Sequence, residues 1–189
     1  SPMSRTDFAS WRSEERAYFP GRSRKGGSTP QDAYEKARAA GEKKDWKTLF
    51  NMLDPEEHDS VVFGVYFGAT FMVMMNKEAG PELEAIGNKH GVQKNDKAGS
   101  VGDKAAEKAA AKEALKNVKD KAALFADLLN LLEKHSKGDK KESMSFTGES
   151  LSDVKIDGDK ATGTITKKGG KTGAIQFVRR DGRWYITGE

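Results

Sequence analysis

Cysteine is absent from the 189 residues of this chain. Its absence excludes disulfide bonds, thiolate metal sites and a cysteine nucleophile. A chain without cysteine is compatible with the cytosol and with an envelope compartment, so the sequence leaves the localisation unknown. Export to a bacterial envelope would require a leader ahead of residue 1.

Long apolar runs and a strong charge of one sign are also missing. The longest predominantly apolar run, Val61 to Met75, has 15 residues, whereas a membrane-spanning helix needs about 20. We therefore predict no membrane span and a soluble protein. The net charge is +4, and residues 1–29, with six basic and three acidic side chains, carry most of it. The nearly neutral remainder gives no strong nucleic-acid signal.

Residues 1–28 predict a flexible arm that is both basic and aromatic. Phe8 and Trp11 lie on one side of a predicted short helix, Thr6–Ala17, and a linker rich in Gly, Ser and Arg follows. Aromatic residues among arginines also suit stacking on nucleic acid or contact with an anionic membrane surface. We favour a mobile arm because chain termini are usually loosely held.

The first half of the remaining chain predicts helices. Thr29 and Asp54, each followed by proline, are typical of helix starts. The helix that begins near Asp54 contains the run Val61–Met75, which is apolar nearly all round. Such a helix is predicted to lie at the centre of a domain. Gly64 and Gly68 on this helix are predicted to allow tight packing in the core.

Residues 81–138 predict a long helical insertion. Apolar residues recur from Ala111 to Leu132 at alternating steps of four and three, which resembles a coiled-coil seam. The pattern lasts only about three heptads, the low end of what indicates a coiled coil. We therefore predict that the segment packs within the domain, with a break near Asp120.

The C-terminal region predicts three or four short antiparallel strands. Asp181–Gly182 is typical of a two-residue type I′ hairpin turn. That turn places Phe177 opposite Ile186, and Arg179 opposite Trp184. A sheet with one apolar face needs a cover, which the helices can supply. The predicted fold class is α+β, with N-terminal helices packed on a curved C-terminal antiparallel sheet of three to five strands.

The predicted binding site is the apolar face of this sheet. The residues that we place on it are Ile165, Ile175, Phe177, Arg179, Trp184 and Ile186. This face offers no acid, histidine or tyrosine, so we predict no catalytic residue. Gly169–Thr172 lacks the first glycine of a phosphate-binding loop, and the three histidines lack metal-ligand spacing. We therefore predict no metal and no cofactor.

The segments Thr29–Tyr34, Lys44–Lys47 and Leu53–Glu56 open the main domain, and Gly158–Thr162 and Phe177–Ile186 close it. Together they resemble the first helices and last strands of bacterial members of the nuclear-transport-factor-2-like (NTF2-like or SnoaL-like) superfamily. The resemblance implies one domain over residues 29–189. In that family an α+β cone has a pocket at its wide end.

The resemblance allows both enzymes and binding modules, and the absence of an acid or histidine from the predicted pocket face favours a non-catalytic binding or assembly module. Its cone would hold a small apolar ligand or be closed by its own helices, and a homodimer is a further expectation. The alternative is an enzyme of the isomerase or dehydratase type, which would need an Asp, Glu or His from the helices to reach the cone. A third hypothesis is that the arm and the Ala/Lys-rich helix bind an anionic surface.

Overall fold

The computed structural model describes residues 25–93, 104–136, 148–167 and 169–188. Within them the chain forms helices first and then one antiparallel sheet, which confirms the α+β fold class. Most of the predicted arm, including its helix Thr6–Ala17, lies outside the described residues. The arm residues that are described, 25–28, run beside the sheet, where Gly27 pairs with Trp184.

Side-chain caps explain where several helices begin. The Thr29 hydroxyl accepts a hydrogen bond from the Asp32 N–H at 3.0 Å, and the Asp120 carboxylate accepts one from the Ala123 N–H at 2.8 Å. Each cap satisfies a backbone donor that has no partner within its own helix. The helices are α1 (Pro30–Glu42), α2 (Trp46–Met52), α3 (His58–Met75), α4 (Gly80–His90), α5 (Lys104–Ala114) and α6 (Lys121–His135).

The sheet is a meander in the order β1-β2-β3-β4. Its strands are β1 (Gly148–Asp157), β2 (Lys160–Lys167), β3 (Thr172–Arg180) and β4 (Arg183–Thr187). The predicted register is confirmed, since Phe177 lies opposite Ile186 and Arg179 opposite Trp184. Asp181 and Gly182 have φ angles of 49° and 74°, as a type I′ turn requires.

The two edges of the sheet differ. At the β4 edge, Gly27 exchanges two backbone hydrogen bonds with Trp184, and Leu53 forms a parallel bridge with Ile186. The β1 edge is irregular, because its register against β2 shifts twice, between Gly148 and Ser150 and between Ser152 and Lys155. Asp153, inside the second irregular stretch, has a φ of 52°.

One apolar core joins the sheet to the helices. Side chains from α1, α2 and α6 share a single buried cluster with residues of β2, β3 and β4. Leu115, Val118, Phe125 and Leu129, which belong to the predicted seam, are all buried in this cluster. The seam therefore packs within the domain, as predicted, and the chain breaks between Ala114 and Lys121.

Helix α3 does not lie at the centre of the domain, so that prediction is wrong. Only Val62 and Ala69 on it are buried, and the helix packs mainly against α5 and α6. The opposite side carries exposed phenylalanines and methionines. Its apolar composition predicts that this helix avoids water, but the described part of the chain covers it on one side only.

Candidate functional site

The six predicted site residues fall into three environments. Ile175, Phe177, Trp184 and Ile186 are each less than a tenth exposed and belong to the same buried cluster as the helix side chains. Ile165 is half-buried beside that cluster, and Arg179 is exposed. The structure thus brings the four buried residues together under the helices.

Two surface depressions lie away from these six residues. One, of about 210 Å³, lies between α1 and β1 and is lined by Gln31, Tyr34, Glu35, Arg38, Ser150 and Leu151. The other, of about 290 Å³, lies between α4 and α6 and is lined by Glu82, Ile86, Lys89, Asp127, Asn130, Leu131 and Lys134. None of the predicted site residues lines either depression.

A buried carboxylate, Asp54, connects the helical half to the sheet. Arg180 donates to it twice, from Nε at 2.6 Å and from a terminal nitrogen at 2.7 Å, and the Glu56 N–H donates at 3.1 Å. Burial alone would raise the pKa of Asp54, but these donors outweigh it and hold the pKa below 3.8. Asp54 is therefore an ionised structural group whose oxygens are engaged.

His58, the first residue of α3, is also held in a structural role. Its ring lies 3.9 Å from the Phe50 ring, centroid to centroid, and its Nε2 lies 3.1 Å from the Leu53 carbonyl oxygen. Burial lowers the pKa of His58 below 6.5, although the carbonyl favours the protonated ring. Near neutral pH the ring is uncharged and donates its Nε2 hydrogen to that carbonyl.

We expect His58 to make the fold less stable in mild acid. Because its pKa is lowered in the folded chain, the unfolded chain binds more protons as the pH falls below 6.5, and the free energy of unfolding falls with it. His58→Gln keeps an N–H donor but does not titrate. Urea unfolding at about pH 7.5 and 5.5 should show a smaller loss in His58→Gln than in the wild type. An equal loss in both proteins would contradict this assignment.

The other two histidines join α4 to α6. His90 Nε2 lies 2.7 Å from Asp127 Oδ2, and His135 Nε2 lies 3.1 Å from Glu82 Oε1. Lys134 holds the pKa of Glu82 below its usual value, with help from His135. Among the described residues no group of three or more His, Asp and Glu side chains is placed to hold a metal ion. These pairs therefore act as bridges between helices.

Among the described residues, four of the five exposed large hydrophobic side chains lie on α3. Four side chains on one side of it, Phe67, Phe71, Met74 and Met75, are 53%, 61%, 72% and 79% exposed. Gly64 and Gly68 lie on the same side, and a Cβ added at either would meet nothing within 4 Å in the described part of the chain beyond the adjoining backbone of α3. We call these six residues, Gly64, Phe67, Gly68, Phe71, Met74 and Met75, the α3 face.

The α3 face was missed as a site because its residues were assigned to the core. The helical spacing itself indicates the face, since positions 64, 67, 68, 71, 74 and 75 recur at intervals of three and four. The stretch Pro55–Met75 is also long and apolar enough to cross a membrane, with 11% of its most apolar window buried. Length and apolar composition do not distinguish a membrane-spanning helix from an apolar helix of a folded domain.

Comparison with protein-family models, curated proteins and solved structures found no match.

Proposed function

We propose that this chain is a non-catalytic assembly module that binds an apolar protein helix through the α3 face. The observation that supports the proposal is the row of two phenylalanines and two methionines that stay largely exposed on a helix otherwise built into the domain. Exposed apolar patches of several hundred Å² commonly mark interaction sites. Two glycines one turn apart also let a second helix backbone approach closely.

A helix is the partner that this surface suits best. Met side chains adapt to irregular apolar shapes, and phenylalanines supply the large buried area that dominates interface energies. The segment from Ser60 to Asn76 has no charged side chain, so nothing on it calls for an acidic or basic partner. Recognition would rest on shape and apolar burial, as in helix-in-groove binding.

The sheet face supports binding of an apolar ligand less well. Four of its six candidate residues, Ile175, Phe177, Trp184 and Ile186, are buried with helix side chains. Burial of these four residues supports the form of the proposal in which the chain's own helices close the cone that the NTF2-like resemblance implies. The enzyme alternative would rely on Asp54 and His58, whose polar atoms already bind Arg180 and the Leu53 carbonyl.

Photo-cross-linking tests whether a protein helix covers the α3 face. We expect Phe71→benzoylphenylalanine, in the expressing cell, to yield an adduct with a defined helical segment of a protein, identified by mass spectrometry. Phe71 is 61% exposed, so the larger side chain should not disturb the fold.

Ile156→benzoylphenylalanine is the matched control, because Ile156 is a similarly exposed apolar residue, at 59%, on β1. Position 156 should give no adduct of that kind. Adducts with lipid alone at position 71, or no adduct there, would overturn the proposed function.

A further inference from the structure

We infer that the helix bound by the α3 face is α3 of a second copy, related by a twofold axis. The inference rests on the proposed function and names its partner. The α3 face places large side chains directly beside glycines, which have no side chain. Phe67 and Phe71 form a ridge one turn long, and Gly64 and Gly68 form a groove beside it.

Such a surface is complementary to itself. In a twofold interface the same patch faces its own copy, so the ridge of one chain must find a groove on the other. The phenylalanines of one α3 can lie over Gly64 and Gly68 of the other, where a Cβ would meet no described atom within 4 Å apart from the adjoining backbone of α3 itself. Ridges packed into grooves are the ordinary way in which two helices meet.

The charge distribution permits this contact. Two copies of a chain with a net charge of +4 repel each other, but the uncharged segment from Ser60 to Asn76 brings no like charges into the interface. A helix that rests on an anionic lipid surface usually carries Lys and Arg along its polar side. Helix α3 contains neither residue, and its other side packs on α5 and α6.

The exposed area is sufficient for a weak dimer. With about 200 Å² for each large side chain, the four exposed residues offer about 500 Å² per copy. Two copies would bury about 1,000 Å², which is the lower bound for a specific interface. The two copies should therefore exchange between monomer and dimer.

Sedimentation velocity of the purified full chain over a range of concentrations tests the inference. We expect the wild type to form a dimer reversibly. Gly68→Gln fills the groove with a side chain that ends in a polar amide, and Phe71→Glu places a charge on the ridge. Each variant should weaken dimerisation by about tenfold or more. Because Gln favours helix more than Gly does, Gly68→Gln should not lower the thermal midpoint when both proteins are measured at a concentration that keeps them monomeric.

The control is Ile156→Glu, which makes the same kind of change on β1 and should dimerise like the wild type. A wild type that stays monomeric while position 71 cross-links to another protein would overturn the second copy as partner and leave the proposed function standing. Cross-links from position 71 to residues 1–24 of the same chain, or binding to anionic vesicles by a monomer, would also overturn it. Unchanged dimerisation in both variants would show that the dimer interface does not lie on α3, and would overturn the inference.

Discussion

Arg180→Leu should lower the free energy of unfolding by about 3 kcal/mol, since the loss of one partner leaves a buried charge uncompensated. The Asp54 side chain is 3% exposed and that of Arg180 is 32% exposed. The leucine therefore strands the more buried partner. Of the donors to its carboxylate described above, Asp54 would keep only the Glu56 backbone N–H. Urea unfolding at neutral pH measures the loss.

Two further variants separate this pair from a general effect of removing charge. Arg179→Leu, one residue earlier on the same strand, removes an exposed guanidinium and should change the free energy of unfolding by less than about 0.5 kcal/mol. Asp54→Asn with Arg180→Leu removes both charges and should be more stable than Arg180→Leu alone. Equal losses in the two arginine variants would show that Asp54 is not what makes Arg180 important.

The pH dependence of this pair has a definite sign. The pKa of Asp54 lies below 3.8 in the folded chain, so its contribution to stability is present above that value and is lost as the pH falls through the folded pKa. In Arg180→Leu, burial acts on Asp54 without the guanidinium and its pKa rises. The difference in stability between the two proteins should therefore shrink in acid.

Gly27→Ala should lower the free energy of unfolding by about 3 kcal/mol, at the upper end of what overpacking costs. A Cβ at Gly27 would lie 2.3 Å from the Ala33 backbone nitrogen and 2.6 Å from its Cα. Backbone atoms of α1 cannot turn aside as a side chain can. Either the helix shifts or the paired hydrogen bonds between Gly27 and Trp184, at 2.8 and 2.9 Å, break.

Gly41→Ala is the matched control. Gly41 lies within α1, and a Cβ there would meet no atom within 4 Å, so alanine should stabilise the helix by up to about 1 kcal/mol. Thermal or urea unfolding of both variants measures the contrast. A Gly27→Ala protein as stable as the wild type would mean that residues 25–28 do not hold their place against the sheet in solution.

The sheet was predictable because its signals are local. Asp181 and Gly182 determine a turn type, the turn determines the register, and the register determines which of Phe177, Trp184 and Ile186 share a face. The helix starts at Thr29 and Asp120 were also predictable, since a cap acts within three residues. Each of these features depends on neighbours in the sequence.

The features that were missed depend on distant neighbours. Asp54 and Arg180 are 126 positions apart, and no spacing rule connects them. Tyr185 follows Trp184 on β4, so strand alternation directs it to the other side of the sheet, yet it is buried, and Gly26 lies against its ring. The exposed side of α3 has the same composition as a core helix. The hydrophobicity of a side chain predicts that it is more stable when buried. It does not show whether the same chain or another molecule buries it.

The two edges of the sheet affect whether copies of this chain can aggregate by adding strands to each other. Filaments grow by adding strands when a straight, unpaired edge is presented to the next molecule. Here Gly27 and Leu53 pair with part of the β4 edge. The β1 edge has two register shifts, and Asp153 within it has a left-handed conformation. Both edges therefore hinder the addition of a further strand, even though α3 leaves an apolar surface exposed.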